Sequence, residues 1–368
     1  MPRNNEPSGS HPNQFKGLFE HLSRSYAPLI EEARRELRAL PVPDAIRQNY
    51  EFIIDRPQPA FILLPLMYLS LADHLGGITA RHRRYLPWQM LAMEIMAVYD
   101  DTIDHTPLRS GLPTYQARYG PASAAAFGGF LYSVLVETTA VDAPELLPLL
   151  TETFGTLCSL EVWEHQSRYP DISIPSFGAW IRRRNTMAIQ VYSYSLDSAL
   201  LLHGAERLPW EAVVRLGDVG QDVDDLVNIV EEREKNGEND DLKMGIPTYP
   251  LLATLEAEPA ARVLIEEVWR AHKDDQARST YHALVDLILR RGVKPTIDKM
   301  ITDAEVSVAA TPPHLRPCMV AFNYGFMNRL RHLDPRLRFE ARASLPRPDG
   351  RWRAETEEAH LEVVDTGR

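Results

Sequence analysis

Residues 88–105 read WQMLAMEIMAVYDDTIDH, an apolar helical run that ends in three carboxylates, Asp100, Asp101 and Asp104, with no lysine or arginine among them. At roughly 100° per residue, Asp100 and Asp104 lie one above the other on one helix face, with Asp101 beside them. Aligned like charges cost a helix about 0.2–0.5 kcal/mol per pair, so the cluster needs either solvation or a cation that is not part of the chain.

A second stretch repeats the anomaly. In GDVGQDVDDLVNIVEE, residues 217–232, Asp224, Asn228 and Glu232 share one stripe, Gln221 and Asp225 flank it, and Val223, Leu226, Val227 and Val230 supply the buried side. One such cluster is commonly a solvated face. Two of them, each set in an apolar helix without interleaved lysines, match the oxygen ligands of magnesium, which binds through a few carboxylates plus substrate phosphates. Carboxylate walls facing each other across a helical bundle would clamp a diphosphate through bridging metal ions. The chemistry would be metal-assisted departure of pyrophosphate, leaving a cation in an apolar pocket.

The rest of the chain is compatible with such a pocket. Hydrophobic residues make up 44% of 368, ample for a large core, and the formal charge of −11 excludes a nucleic-acid surface. Cys158 and Cys318 form neither a disulfide framework nor a zinc spacing and are expected as core thiols. The longest apolar stretch, Ala60 to Ala72, is too short to span a bilayer, and the polar N-terminus has no signal-peptide core, so a cytoplasmic protein is expected.

Apolar spacing is helical nearly throughout, and no alternating strand pattern is found. Helices are expected over 15–39, 44–54, 59–75, 80–104, 121–139, 143–167, 176–203, 208–236, 259–272, 275–290, 294–308 and 313–332. This predicts an all-α bundle formed by one domain, 15–337, between a disordered tail at 1–14 and a flexible polar tail at 338–368.

The segment DDTIDHTPLRSGLPTYQARYG resembles the first motif and following loop of the trans-prenyl diphosphate synthases, through Asp100, Asp101, Asp104, Arg109, Gly111, Pro113, Thr114 and Gly120. GQDVDDLVN with NDDLKMGIPTYPLL resembles that family's second motif and loop, through Gln221, Asp224, Asp225, Asp241, Leu242, Gly245, Thr248 and Pro250. The resemblance covers about residues 50–255. It implies the isoprenoid-synthase bundle with a central pocket, a prenyl diphosphate substrate, magnesium as cofactor, three ions bound with the diphosphate, and by analogy a homodimer.

Departures from the pattern cluster at the second-substrate site. The family binds isopentenyl diphosphate through Gly-Lys-Arg-x-Arg-Pro; here IIDRPQP puts Asp55 at the lysine and Gln58 at the second arginine, keeping only Arg56. Ser110, Met93, Asn185 and Ile246 stand where the resemblance would place further polar or cationic contacts. The second motif also resembles the (N/D)DxxSxxxE triad of class I terpene cyclases, with Asp224, Asn228 and Glu232 as ligands. Such cyclases carry an upstream diphosphate-binding arginine, for which Arg182, Arg183 and Arg184 are the candidates.

The expected function is therefore a magnesium-dependent class I terpene synthase, a lyase that ionises an allylic prenyl diphosphate. The alternative is a trans-prenyltransferase, using either isopentenyl diphosphate or another acceptor. A non-catalytic subunit of a heteromeric synthase is the third reading, and retention of both acidic motifs speaks against it. Arg109 and one of Arg182 to Arg184 would hold the leaving diphosphate. In the resembling family the two positions four and five before the first motif floor the pocket. Here these are Met96 and Ile95, near Tyr99, and the absence of an aromatic at either predicts a C15 or C20 substrate.

Overall fold

A computed structural model describes residues 18–55, 59–109, 111–167, 173, 176–235, 240–243, 245–270 and 278–337. The expected tails at 1–14 and 338–368 lie outside the described residues, as do Arg56, Gln58 and Ser110. Fifteen α-helices follow in chain order among the described residues. The first seven are α1 (Leu18–Arg38), α2 (Arg47–Ile54), α3 (Pro59–His74), α4 (Ala80–Ile103), α5 (Tyr115–Tyr119), α6 (Pro121–Asp142) and α7 (Leu147–Gln166). Next come α8 (Phe177–Leu202), α9 (Trp210–Lys235), α10 (Asp240–Lys243) and α11 (Tyr249–Ala257). The chain then forms α12 (Ala261–Arg270), α13 (Arg278–Arg291), α14 (Val293–Ala310) and α15 (Arg316–Met327).

The all-α expectation holds, with one addition. Leu108–Arg109 (β1) and Leu112–Pro113 (β2) pair antiparallel in a two-residue hairpin that alternation analysis cannot detect. The short α5, α10 and α11 were also not expected as helices.

The bundle is organised by α3, α4, α8 and α9. Helix α4 packs on α3 and α6; α8 packs on α3, α7 and α9; and α9 is backed by α14 and α15. The main core joins residues such as Met67, Tyr68, Leu91, Ile95, Leu196, Leu216, Leu226, Met300 and Phe322. A smaller cluster at the start of α8 joins Phe177 and Trp180 to Trp269, Leu284 and Ile288. Close approach of α8 to α9 requires a glycine, because a Cβ at Gly220 would come within 2.5 Å of the Tyr192 hydroxyl.

Several buried polar groups on the central helices are paired across helices. Lys299 of α14 donates to Asp222 of α9 and to Asp303, each at 2.7 Å, and the Tyr85 and Tyr194 hydroxyls meet at 2.9 Å. Helix α4 opens with a capping box: Thr79 accepts from the His82 backbone N–H, and His82 Nδ1 accepts from the Thr79 N–H.

Two expectations fail. Cys158 is exposed on α7, and only Cys318 is a core thiol. Helix α6 is long and apolar enough to cross a membrane by length and composition, contrary to the stretch at Ala60–Ala72 being the limit. Its buried positions, Ala124, Phe127, Gly128, Leu131, Leu135 and Thr139, form a single stripe on a helix packed against α4.

Candidate active site

The first acidic wall is built by how α4 ends. Asp101 is 1% exposed, Asp100 and Asp104 are half-buried, and the Asp104 N–H closes the last turn on the Asp100 carbonyl at 3.0 Å. His105 then adopts φ 55°, a left-handed conformation uncommon outside glycine, and reverses the chain. Gly111, at φ 77°, closes the hairpin that follows. Thr114 Oγ1 and Gln116 Nε2 donate to the Thr106 carbonyl at 2.6 and 2.8 Å and tie the loop down.

This hairpin swings Arg109 back over the carboxylates from which it departed. Arg109 Nε donates to Asp101 Oδ1 at 2.8 Å, and its Nη2 to Asp100. Burial opposes the guanidinium charge, but Asp100 and Asp101 outweigh it and hold the Arg109 pKa above its ordinary value.

On α9, Asn228 Nδ2 donates to Asp224 Oδ2 at 3.3 Å, which places these two predicted ligands together. Glu232 lies on the same helix, with its side chain outside the described residues. Asp225 turns to the neighbouring face, accepting from Gln221 Nε2 at 2.9 Å and Arg184 Nη1 at 3.0 Å. The structure thus turns Asp225 away from the Asp224–Asn228 face, while Gln221 bonds to Asp225 and still lines the same cavity as Asp224.

The arginine run resolves into three roles. Arg184 is the inward one, bound to Asp225, to Asp241 at 3.2 Å and to Glu164 at 3.6 Å, and these partners raise its pKa against the effect of burial. Arg182 and Arg183 are exposed, and Arg183 lies over the Trp163 ring at 4.2 Å. The three candidates are not equivalent, because successive residues are rotated by about 100° and only Arg184 faces the acidic groups.

The two walls meet electrostatically at Asp224. It keeps solvent contact inside a cavity, yet desolvation raises its pKa, with Arg329, Arg184 and Arg109 pulling it back down and Asp241 reinforcing the rise. Arg109 belongs to the first wall, and its charge reaches Asp224 through space. That cavity, about 250 Å³, is lined by Phe19, Tyr192, Gln221, Asp224, Phe326 and Arg329 among others. Sequence reasoning missed Phe19, Phe326 and Arg329, which carry no motif.

Along α4, Met96 is half-buried one turn before Asp100 on the same face, whereas Ile95 is 0% exposed in the packed core. Tyr99 is half-buried, its ring against Gly128, where a Cβ would sit 2.9 Å from Cζ. Met96, not Ile95, therefore shares the Asp100 face of α4.

A second cavity, about 620 Å³, opens between α2 and α5 and is lined by Glu51, Phe52, Asp55, Pro113, Arg118 and Tyr119 among others. Asp55 accepts from Arg38 Nε at 2.8 Å, and Arg118 stacks over Phe52 at 4.8 Å. Of the other substituted positions, Met93 and Ile246 are core, and Asn185 donates to Asp218 at 2.7 Å.

Among the described residues, no three His, Cys, Asp or Glu gather closely enough to hold a metal ion by themselves. The donor chemistry nonetheless suits magnesium, which needs oxygen ligands and shares its sphere with phosphate and water. Asp225 Oδ2 is buried and has no hydrogen-bond partner among the described residues.

The family model for polyprenyl synthetases matches residues 65–287. A heptaprenyl diphosphate synthase component 2 from Geobacillus stearothermophilus is 25% identical over 260 residues, covering 67% of this chain and 77% of that one. A prenyl transferase from Cyanophora paradoxa is 25% identical over 225 residues, covering 60% and 68%. Among solved structures, a decaprenyl diphosphate synthase from Rhodobacter capsulatus superposes with a TM-score of 0.69 at 17% identity, covering 87% of this chain and 100% of that one. The same fold recurs in a geranylgeranyl pyrophosphate synthase, at a TM-score of 0.68 and 16% identity. A match that runs through both acidic walls and over more than half of the chain makes this protein a member of the polyprenyl synthetase family.

Proposed function

We propose that the protein is a magnesium-dependent trans-prenyltransferase that takes an allylic prenyl diphosphate as donor, releases pyrophosphate and passes the prenyl group to a second substrate. The observation that carries this reading is the pair of acidic helix faces on α4 and α9, with Arg109 held on the first and acting through space on Asp224 of the second, which opens onto a cavity. Asp100, Asp101 and Asp104 on one side, and Asp224, Asn228 and Glu232 on the other, would hold magnesium jointly with the diphosphate. When bound, the metal would supply positive charge that stabilises the leaving diphosphate. Arg109 orients the first wall's carboxylates and adds a fixed cation at its edge. Tyr192, Phe19 and Phe326 give the cavity aromatic walls, whose π faces favour a nearby cation. The family match and the names of the relatives favour prenyl transfer over the terpene-synthase reading.

A cyclase without a second substrate keeps one specific support. The cavity beside the hairpin carries the carboxylates of Glu51 and Asp55, a poor environment for a second diphosphate. Product analysis with C10, C15 and C20 allylic diphosphates, with and without isopentenyl diphosphate, separates the two. Transfer predicts that products require an acceptor. Cyclised or rearranged hydrocarbon from the allylic substrate alone would replace transfer by cyclisation. Turnover by the chain alone also excludes dependence on a second subunit.

A further inference from the structure

The cavity beside Asp224 is bounded by a side chain that lies beyond the residues matched by the family model. Arg329 sits in a short 3-10 turn, Asn328–Leu330, which follows α15 and packs on α9. Stacking fixes this turn in place: Phe326 lies 5.5 Å from Phe19 and 5.2 Å from Tyr192 between ring centroids. Half-buried, Arg329 lines the same cavity as Gln221, Asp224 and Tyr192.

Three arginines act on Asp224, and they are not equivalent. Arg109 is held by Asp100 and Asp101, and Arg184 by Asp225, Asp241 and Glu164. Arg329 acts on Asp224 and Tyr192 through space and makes no salt bridge among the described residues. A half-buried guanidinium without a bound carboxylate keeps its planar fork of donors for an anion, and two of them match a phosphate bidentately.

We propose that Arg329 binds the substrate diphosphate directly, supplying from the C-terminal end of the chain a cation to the cavity onto which Asp224 of α9 opens. The inference rests on the reading of this site as an allylic diphosphate site. As the C1–O bond of the substrate breaks, its electron pair passes to the diphosphate oxygen, and Arg329 stabilises the charge that grows there. The surrounding rings lower the local dielectric and strengthen that contact.

The test is pyrophosphate binding to the full chain by calorimetry at saturating magnesium, for wild type, Arg329→Gln and Arg329→Lys. Thermal unfolding and steady-state turnover of an allylic diphosphate accompany it. Loss of one charge-assisted contact should weaken pyrophosphate binding by about 10- to 100-fold in Arg329→Gln. Arg329→Lys should recover part of that loss, and both variants should unfold near the wild-type temperature. A purely structural role would shift unfolding but leave pyrophosphate affinity of the folded variant within about twofold of wild type, a result that overturns the proposal while the diphosphate reading stands. If the wild type neither binds pyrophosphate nor turns over any allylic diphosphate, both fall.

Discussion

At the scale of single residues, neighbouring aspartates in one motif divide two tasks. Asp101 is buried and hydrogen-bonded to Arg109, so it holds the hairpin as well as facing the site. Asp100 is half-buried and more open to solvent than Asp101. Asp100→Ala should therefore cut pyrophosphate release by two or more orders of magnitude, about 3 kcal/mol or more of lost charge stabilisation, and barely move the unfolding temperature. Asp101→Ala should lower both, because it leaves a buried guanidinium short of a partner. Wild-type turnover in folded Asp100→Ala would remove that residue from the site. The acidic walls were legible because charge and apolarity conflict within one helix. Which arginine of Arg182–Arg184 turns inward was not, since that depends on the rotation of α8 against Glu164 and Asp225. Arg329 was invisible for a simpler reason: the arginines of NRLRH form no motif until α15 packs on α9.

At the scale of elements, α4 carries the candidate length-setting residue one turn before Asp100 and a pH-sensitive cap at its start. Met96 shares the Asp100 face, so Met96→Phe should shift preference towards shorter allylic diphosphates, measured as relative kcat/KM for C10, C15 and C20 donors. Ile95→Phe should instead overpack the core and cost about 1–3 kcal/mol of stability. An unchanged length profile in Met96→Phe would place the pocket floor elsewhere.

The cap depends on a neutral imidazole: His82 Nδ1 accepts from the Thr79 N–H while Nε2 lies 3.1 Å from the Ala199 carbonyl. Burial lowers its pKa from 6.5 to about 4. Between those values the unfolded chain takes up a proton that the native state does not, so this group's stabilisation is full above pH 6.5 and is lost as pH falls towards 4. The loss is on the order of 3 kcal/mol. Denaturant unfolding across that range should show a flatter acid limb in His82→Gln than in wild type; identical slopes would contradict it. The helix itself was expected over 80–104 from its apolar spacing and runs Ala80–Ile103, with the Thr79 cap at its start. Helices α5, α10 and α11 escaped because five, four and nine residues hold too few turns for a periodicity.

At the scale of the whole molecule, the bundle brings together two walls that lie more than a hundred residues apart in sequence. Among the described residues no three carboxylates gather closely enough to hold a metal alone, and a bound diphosphate would supply the missing oxygens. Family membership sets the class of chemistry, while the carboxylates of Glu51 and Asp55 bear on what the prenyl group meets next. The most direct measurement is pyrophosphate release from C10, C15 and C20 allylic diphosphates by the purified full chain, with isopentenyl diphosphate and neutral aromatic acceptors supplied in parallel. Release should require magnesium, disappear with chelation and be lost in Asp100→Ala. No release from any donor under any of these conditions, or release indifferent to magnesium and to Asp100, would contradict the account.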